Sequence, residues 1–305
     1  MKNNNSALSR GQKSKFPAMA LGLGLAMTAP AFAGDPFNAQ ADGNWDTPAT
    51  WNNGFPNEGA DVEIGAFTVT VDSLNPETLD DLYMHSGGVL IIETGGKLKM
   101  TEKMVIGDGS AGTIRMTGGE IEVSSSNFDF FDFGQGTSTG LLEISGGNFN
   151  GSGTDVRFNA AGTLRIIGTG GSFNNQVKGA GTFEFVTSAV GVSAIVAPFD
   201  DSTTANLVVD LGLYTTAGLS DIMLVDMAAG HSGQGFLTRD ITQGATTLTL
   251  GTQGALLEGE YFLDTANGAN NDTVLQVNLA VIPEPSSMSL LALGGLALLR
   301  RRRRA

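Results

Sequence analysis

From residue 34 to residue 282 apolar and polar positions alternate in short runs, and glycine separates one run from the next. That period of two predicts strands joined by tight turns, and no window holds the three-and-four spacing of an amphipathic helix. In "DVEIGAFTVTVD", Val62 and Ile64 precede Gly65 while Val69 and Val71 follow it, which reads as a β-hairpin or two successive edge strands. Three later segments share one layout: "MVIGDGSAGTIRMTGGEIEV" from Met104, "FDFGQGTSTGLLEISGGNFN" from Phe131 and "DVRFNAAGTLRIIGTGGSFN" from Asp155. Each holds an apolar triplet, a small-residue turn, a strand, a glycine turn and a third strand. Ile106, Phe133 and Phe158 fall at equivalent positions, 27 and 25 residues apart, and Ile114, Leu142 and Leu164 form a second such set. A weaker copy, "LYMHSGGVLIIETGGKLKM", precedes them.

Three short strands recurring in this way predict one solenoid coil per copy, with equivalent apolar positions stacked inside. The expected fold is all-β: a right-handed parallel β-helix of short glycine-turned coils, followed by an irregular β part. At about 4.8 Å per coil, four to five coils make a rod of roughly 20 to 24 Å. An antiparallel β-sandwich is the competing architecture, because a period of two does not report which strand is the neighbour. The expected domains are an N-terminal β cap over 34–81, coils over 82–186 and an irregular region or cap over 187–282, with 196–204 the best linker. Trp45 and Trp51 stand before the first strong strands, where they are expected to cover an open sheet end. Their alternative role is stacking on sugar rings.

Composition narrows the chemistry. The chain has 305 residues and no cysteine, which excludes disulfides, thiolate nucleophiles and cysteine-held metals. Its 43 glycines follow no period of three, so collagen is excluded and frequent turns are favoured. The formal charge is −14, and residues 34–299 hold 8 bases against 31 acids, a net of −23. Such a surface repels phosphate backbones, so no nucleic-acid partner is expected.

Both ends carry an address. After a basic start, "FPAMALGLGLAMTAPAFA" closes on Ala31-Phe32-Ala33, the small-x-small pattern cut by signal peptidase, which places cleavage between Ala33 and Gly34. Residues 1–33 are thus expected to be a secretory signal peptide, since its 14-residue apolar core is short of the roughly 20 a spanning helix needs. At the other end, Pro283 and Pro285 stop any preceding strand, and Ser286 or Ser287 can cap a short hydrophobic helix. That helix, through Leu290, Leu291, Leu293, Gly294 and Gly295 to Leu299, is expected to be a transmembrane helix of about 21 Å. Arg300, Arg301, Arg302, Arg303 and Arg304 would hold its end on the cytoplasmic side.

Pro283-Glu284-Pro285, the apolar stretch and the arginine cluster together resemble the PEP-CTERM sorting signal over 283–305. The resemblance implies an exosortase as partner, a membrane transpeptidase-like enzyme of Gram-negative bacteria that make exopolysaccharide. It implies export, transient anchoring in the inner membrane by the C-terminal helix, then release to the cell surface or extracellular matrix. It is silent on the 249 residues of 34–282. Separately, "GNWDTPATWNNGFPNEGADVEIGAFTVTV" is similar to the opening of many secreted repeat proteins, in which it precedes a β-helix.

Catalytic signals are sparse. His85 and His231 are the only histidines, and neither has an acid-base partner assignable by spacing. Glycoside hydrolysis needs two carboxylates at a fixed separation; the local pairs are Asp80 with Asp81 and Asp129 with Asp132, and stacking could bring Glu93, Glu120, Glu122 and Glu143 together. Asp108 in "GDG" and Asp272 in "GANND" offer carboxylates in turns to a structural Ca²⁺, although neither turn has a complete calcium-loop pattern. No other cofactor is expected. The function expected is that of an exported surface or matrix structural protein, not an enzyme, with exopolysaccharide or outer-surface components as partners. A β-helical polysaccharide lyase or glycoside hydrolase, or a carbohydrate-binding adhesin, is the alternative.

Overall fold

A computed structural model describes residues 36–73, 77–123, 131–196, 205–226, 236–267 and 272–280. Its strands wind into a parallel β-solenoid with three faces. On the first face Phe37, Val62, Leu82, Met104, Phe131, Val156 and Val177 are successive register partners. On the second, Val69, Leu90, Ile114, Leu142, Leu164, Phe183 and Leu207 stack. On the third, Leu98, Ile121, Phe149, Phe173, Ile195 and Val225 do so. Long strands bend around corners: Gly140–Phe158 contributes to all three faces in turn.

Both sets of equivalent positions lie inside. Ile106, Phe133, Phe158, Ile114, Leu142 and Leu164 are each fully buried, and Phe133 partners Ile106 above and Phe158 below. Phe133 and Phe158 stack at 4.8 Å between ring centroids, and Phe149 and Phe173 at 5.2 Å. Such stacks add to the gain from area burial and help set register. At the corner entering the second face, Gly88, Gly112, Gly140 and Gly162 form a column. A Cβ on Gly140 would collide with the Ile106 carbonyl oxygen and with the Gly134 nitrogen, so the preceding corner leaves no room for a side chain.

The parallel ladder begins at Phe37 and continues past Val186, where Thr182–Val186 pairs with Ala205–Asp210, which pairs with Phe236–Gln243. The strands Ala60–Ile64 and Thr68–Val71 do not form the hairpin that the alternation around Gly65 suggested as one reading. Each pairs in parallel with the equivalent strand of the next coil, so Gly65 marks a corner between two faces. Beyond the coils the pairing changes sign. Gly218–Asp226 runs antiparallel to Asp272–Leu279, which runs antiparallel to Glu260–Asn267.

The short hydrophobic C-terminal helix expected from the sequence is not part of this fold. Among the described residues the one helical element is the three-residue 3-10 turn Pro48–Thr50, and no helix is long and apolar enough to cross a membrane. Period-two alternation runs through to Leu279 and leaves no helical stripe within the fold. Leu290, Leu291, Leu293, Gly294, Gly295 and Arg300 to Arg304, on which the helix was read, lie outside the described residues, as do Pro283, Glu284 and Pro285. So do Ala31, Ala33, Gly34, Asp129, His231 and residues 197–204 of the linker.

Candidate functional site

Inward positions of the coils are apolar apart from Asn175, whose buried side-chain amide has no hydrogen-bond partner, so the titratable groups of the coils sit on the outward side of each strand. The first face carries the densest group of titratable side chains. Lys103 donates to the Tyr83 hydroxyl at 2.8 Å, and Tyr83 donates to Asp81 at 3.2 Å. The Lys103 ammonium also lies 4.9 Å from the Tyr83 ring centroid. Two rungs further on, Asp132 points outward yet is 5 % exposed, and Arg157 donates to it at 3.4 Å. Burial raises the pKa of Asp132, with Arg157 and Lys103 offsetting only part of it. Asp81 is also raised by burial, against the hydrogen bond from Tyr83, and Asp61 is raised by burial with Asp80 adding repulsion. Burial raises Tyr83 as well; for Lys103 it acts downward, and Tyr83 and Asp81 outweigh it.

The other faces carry ladders of alternating charge. On the second, Arg115, Glu143, Arg165 and Glu184 are consecutive partners. Glu143 accepts from Arg115 at 2.8 Å and from Arg165 at 3.1 Å, and Arg165 reaches Glu184 at 2.7 Å. On the third, Lys97 contacts Glu120 at 3.0 Å, Lys99 contacts Glu122 at 3.4 Å, and Asn150 links Glu120 to Asn174. The Lys97 hydrogen bond lowers the Glu120 pKa, with burial opposing it.

The carboxylates considered as catalytic pairs are therefore distributed. Glu120 and Glu122 meet lysines, Glu143 meets arginines on a different face, and Asp80 accepts from Thr101 at 2.9 Å. Glu93 is exposed in the turn after Gly88–Ile92. His85 does gain an acid: its Nε2 lies 2.5 Å from Glu63, while its Nδ1 lies 2.8 Å from Ser86. This line of Ser86, His85 and Glu63 has the residue types of a hydrolytic triad, but the amides of residues 86–88 are already engaged. The amide of Ser86 is bonded to Ser110, that of Gly87 donates to the Ala111 carbonyl, and that of Gly88 to the His85 carbonyl.

Trp45 and Trp51 are 2 % and 1 % exposed, packed edge to face at 4.9 Å, so neither ring is open to a sugar. The Trp51 indole N–H donates to the Trp45 carbonyl at 2.7 Å. Asp108 and Asp272 stand in separate parts of the chain, and among the described residues no three His, Asp or Glu side chains gather as a metal site. The cross-rung ion pairs were missed in the sequence because each depends on register: Arg115 and Glu143 are 28 residues apart.

Residues 281–304 match the PEP-CTERM protein-sorting motif. No curated protein and no solved structure matches the chain. With the motif set behind a β-solenoid, the chain is an exported exosortase substrate, and exosortase, with signal peptidase before it, acts on it. The expected localisation needs one correction. Anchoring in the inner membrane relied on a transmembrane helix, and no such helix occurs among the described residues.

Proposed function

We propose that the solenoid serves as a structural element of the cell surface or extracellular matrix, in association with exopolysaccharide. The observation that carries this reading is the use made of the outward carboxylates. Glu120, Glu122, Glu143 and Glu184 each lie against a cation of an adjoining rung, which ties coils together and leaves these carboxylates unavailable as a pair across a substrate. The sorting motif that follows the last strand supplies the address.

Two measurements test it in the native host and with purified protein. Changing Pro283, Glu284 and Pro285 together should remove the protein from the surface and matrix fractions. The purified protein should co-sediment with the host's exopolysaccharide while releasing no reducing ends or unsaturated products from acidic or neutral polysaccharides. Reproducible turnover abolished by one carboxylate substitution would replace the structural role with an enzymatic one.

A further inference from the structure

The antiparallel end holds a cleft of about 270 Å³, lined by Leu219, Ser220, Asp221, Gly254, Leu256 and Gln276. The register explains how these residues meet. Asp221 stands directly opposite Gln276 across the antiparallel pair, so the two side chains rise on one face with Cβ atoms about 5 Å apart. Leu219, two residues before Asp221, is on the same face and 69 % exposed, whereas Ile222, Leu275 and Val277 turn to the buried side. The loop from Gly251 to Gly259 supplies the other wall. Asn278 donates to its Leu256 carbonyl at 2.9 Å, its Gln253 donates to Asp264 at 3.1 Å, and its Leu257 amide donates to Glu260 at 2.8 Å. Leu256 is thereby packed down to 7 % exposure, and that wall is fixed before any ligand arrives.

Two kinds of surface converge in the cleft. Leu219 and Leu256 are apolar, while Asp221 and Gln276 are polar and have no side-chain hydrogen bond or ion pair among the described residues. A carboxylate accepts from two hydroxyls, and an amide both donates and accepts. Together they match neighbouring hydroxyls on a sugar, and the leucines match the C–H face of its ring. The volume of about 270 Å³ is close to the roughly 300 Å³ at the small end of ligand sites, which limits the occupant to one ring. Charge narrows the class further. The lining has an acid and no base, and Glu258 and Glu260 stand in the adjoining loop, so a uronate or sulfated sugar is repelled. We infer, on the basis of the exopolysaccharide association proposed above, that this cleft binds one uncharged pyranose unit of a polysaccharide. The polymer is then held at the C-terminal end of the solenoid, and the rest of it leaves past the exposed Leu219.

The test titrates the purified full chain with the methyl glycosides of glucose, galactose, mannose, rhamnose and N-acetylglucosamine, and with methyl glucuronide, read by saturation-transfer NMR. At least one uncharged glycoside should bind in the millimolar range, as so small a ligand allows, and methyl glucuronide should bind at least tenfold more weakly. Asp221→Asn, at an exposed position, and Gln276→Ala should each weaken that binding at least tenfold with an unchanged circular dichroism spectrum. Asn148→Ala, exposed on the third face, should leave it unchanged. No binding of any uncharged glycoside, equal binding by Asp221→Asn, or equally tight binding of methyl glucuronide overturns the inference. Co-sedimentation with the host's exopolysaccharide separates this failure from that of the wider reading. If the unaltered protein co-sediments and Asp221→Asn does so equally, the cleft is overturned while the association stands. If the unaltered protein binds a glycoside through Asp221 but does not co-sediment, the cleft stands as a sugar site and the association falls.

Discussion

The coils between residues 60 and 186 and the antiparallel end between 218 and 279 are built from the same strand-and-glycine vocabulary, yet they treat their outer surfaces differently. In the coils the inward rows are apolar except at Asn175, and the outward rows pair charge with charge across rungs. At the end, Leu219, Met223, Leu250 and Leu257 face outward and are exposed. A coil has a neighbour on both sides, so its partners are supplied by the repeat itself; the terminal strands have one and must be finished by other means. Reversal of strand direction is how this chain closes the stack, and uncovered apolar surface accompanies the reversal.

The largest effect expected is in the coil core. Phe133→Ala removes a fully buried ring that stacks on Phe158 and is register partner to Ile106, and should cost about 3 to 5 kcal/mol. Chemical unfolding followed by circular dichroism measures it. The matched change at the antiparallel end is Ile222→Ala, at a side chain that is 5 % exposed, and it should fall near the low end of the range for such truncations, about 2 kcal/mol. Equal losses would mean that the two regions are packed alike.

Next comes the glycine column. Gly140→Ala sets a methyl group against the Ile106 carbonyl and the Gly134 amide, both backbone, and should cost about 1 to 3 kcal/mol. Gly254→Ala, in the loop beside the cleft, meets nothing within 4 Å and suffers only from its φ of +74°, at about 1 kcal/mol. The same two measurements on one unfolding curve would show whether the coil corners are tighter than the terminal loops.

The coils were legible because their inward residues repeat. Ile106, Phe133 and Phe158 show the same triplet context in the chain, and the register confirms them as partners. Where the repeat fades, legibility fades for a physical reason. Strands Ala60–Ile64 and Thr68–Val71 alternate like a hairpin, because period two fixes which side chains are inside and not which strand is adjacent. The antiparallel pairing of Gly218–Asp226 was hidden by the same ambiguity. Outward chemistry was hidden more deeply: His85 meets Glu63 across 22 residues and Arg115 meets Glu143 across 28, because coils of unequal length bring each pair to one rung spacing.

Charge substitutions should have smaller effects than these. Glu143→Gln removes one acid held between two arginines that are themselves partly exposed, and should cost about 1 kcal/mol, shrinking in high salt. Glu120 and Asp132 should respond to pH in opposite senses. The Glu120 pKa is lowered in the fold, so its stabilising contribution is present above the ordinary carboxylate range near pH 4 and is lost as pH falls through the folded value. The Asp132 pKa is raised, so its contribution is complete below about pH 4 and is lost as pH rises through the folded value. Glu120→Gln should therefore weaken the protein at pH 7 and not at low pH. Asp132→Asn should leave stability at pH 7 equal or higher, with the difference vanishing on acidification. A loss for Asp132→Asn that is greater at pH 7 than at pH 4 would reverse the assignment.

The smallest stability effect is expected where the two regions differ most. Leu257 is 69 % exposed, so Leu257→Ser deletes little buried area and should change unfolding free energy by less than about 0.5 kcal/mol. The hydrogen bond that its amide donates to the Glu260 carboxylate is made by the backbone and survives the change. Leu142→Ser, by contrast, puts a hydroxyl into the fully buried second-face row between Ile114 and Leu164, where it loses both apolar contact and hydration. The same substitution should thus be silent at the end and severe in the coil. If Leu257→Ser proved as damaging as Leu142→Ser, the exposed leucines would belong to a core, and the division between a self-finished stack and an unfinished end would fall.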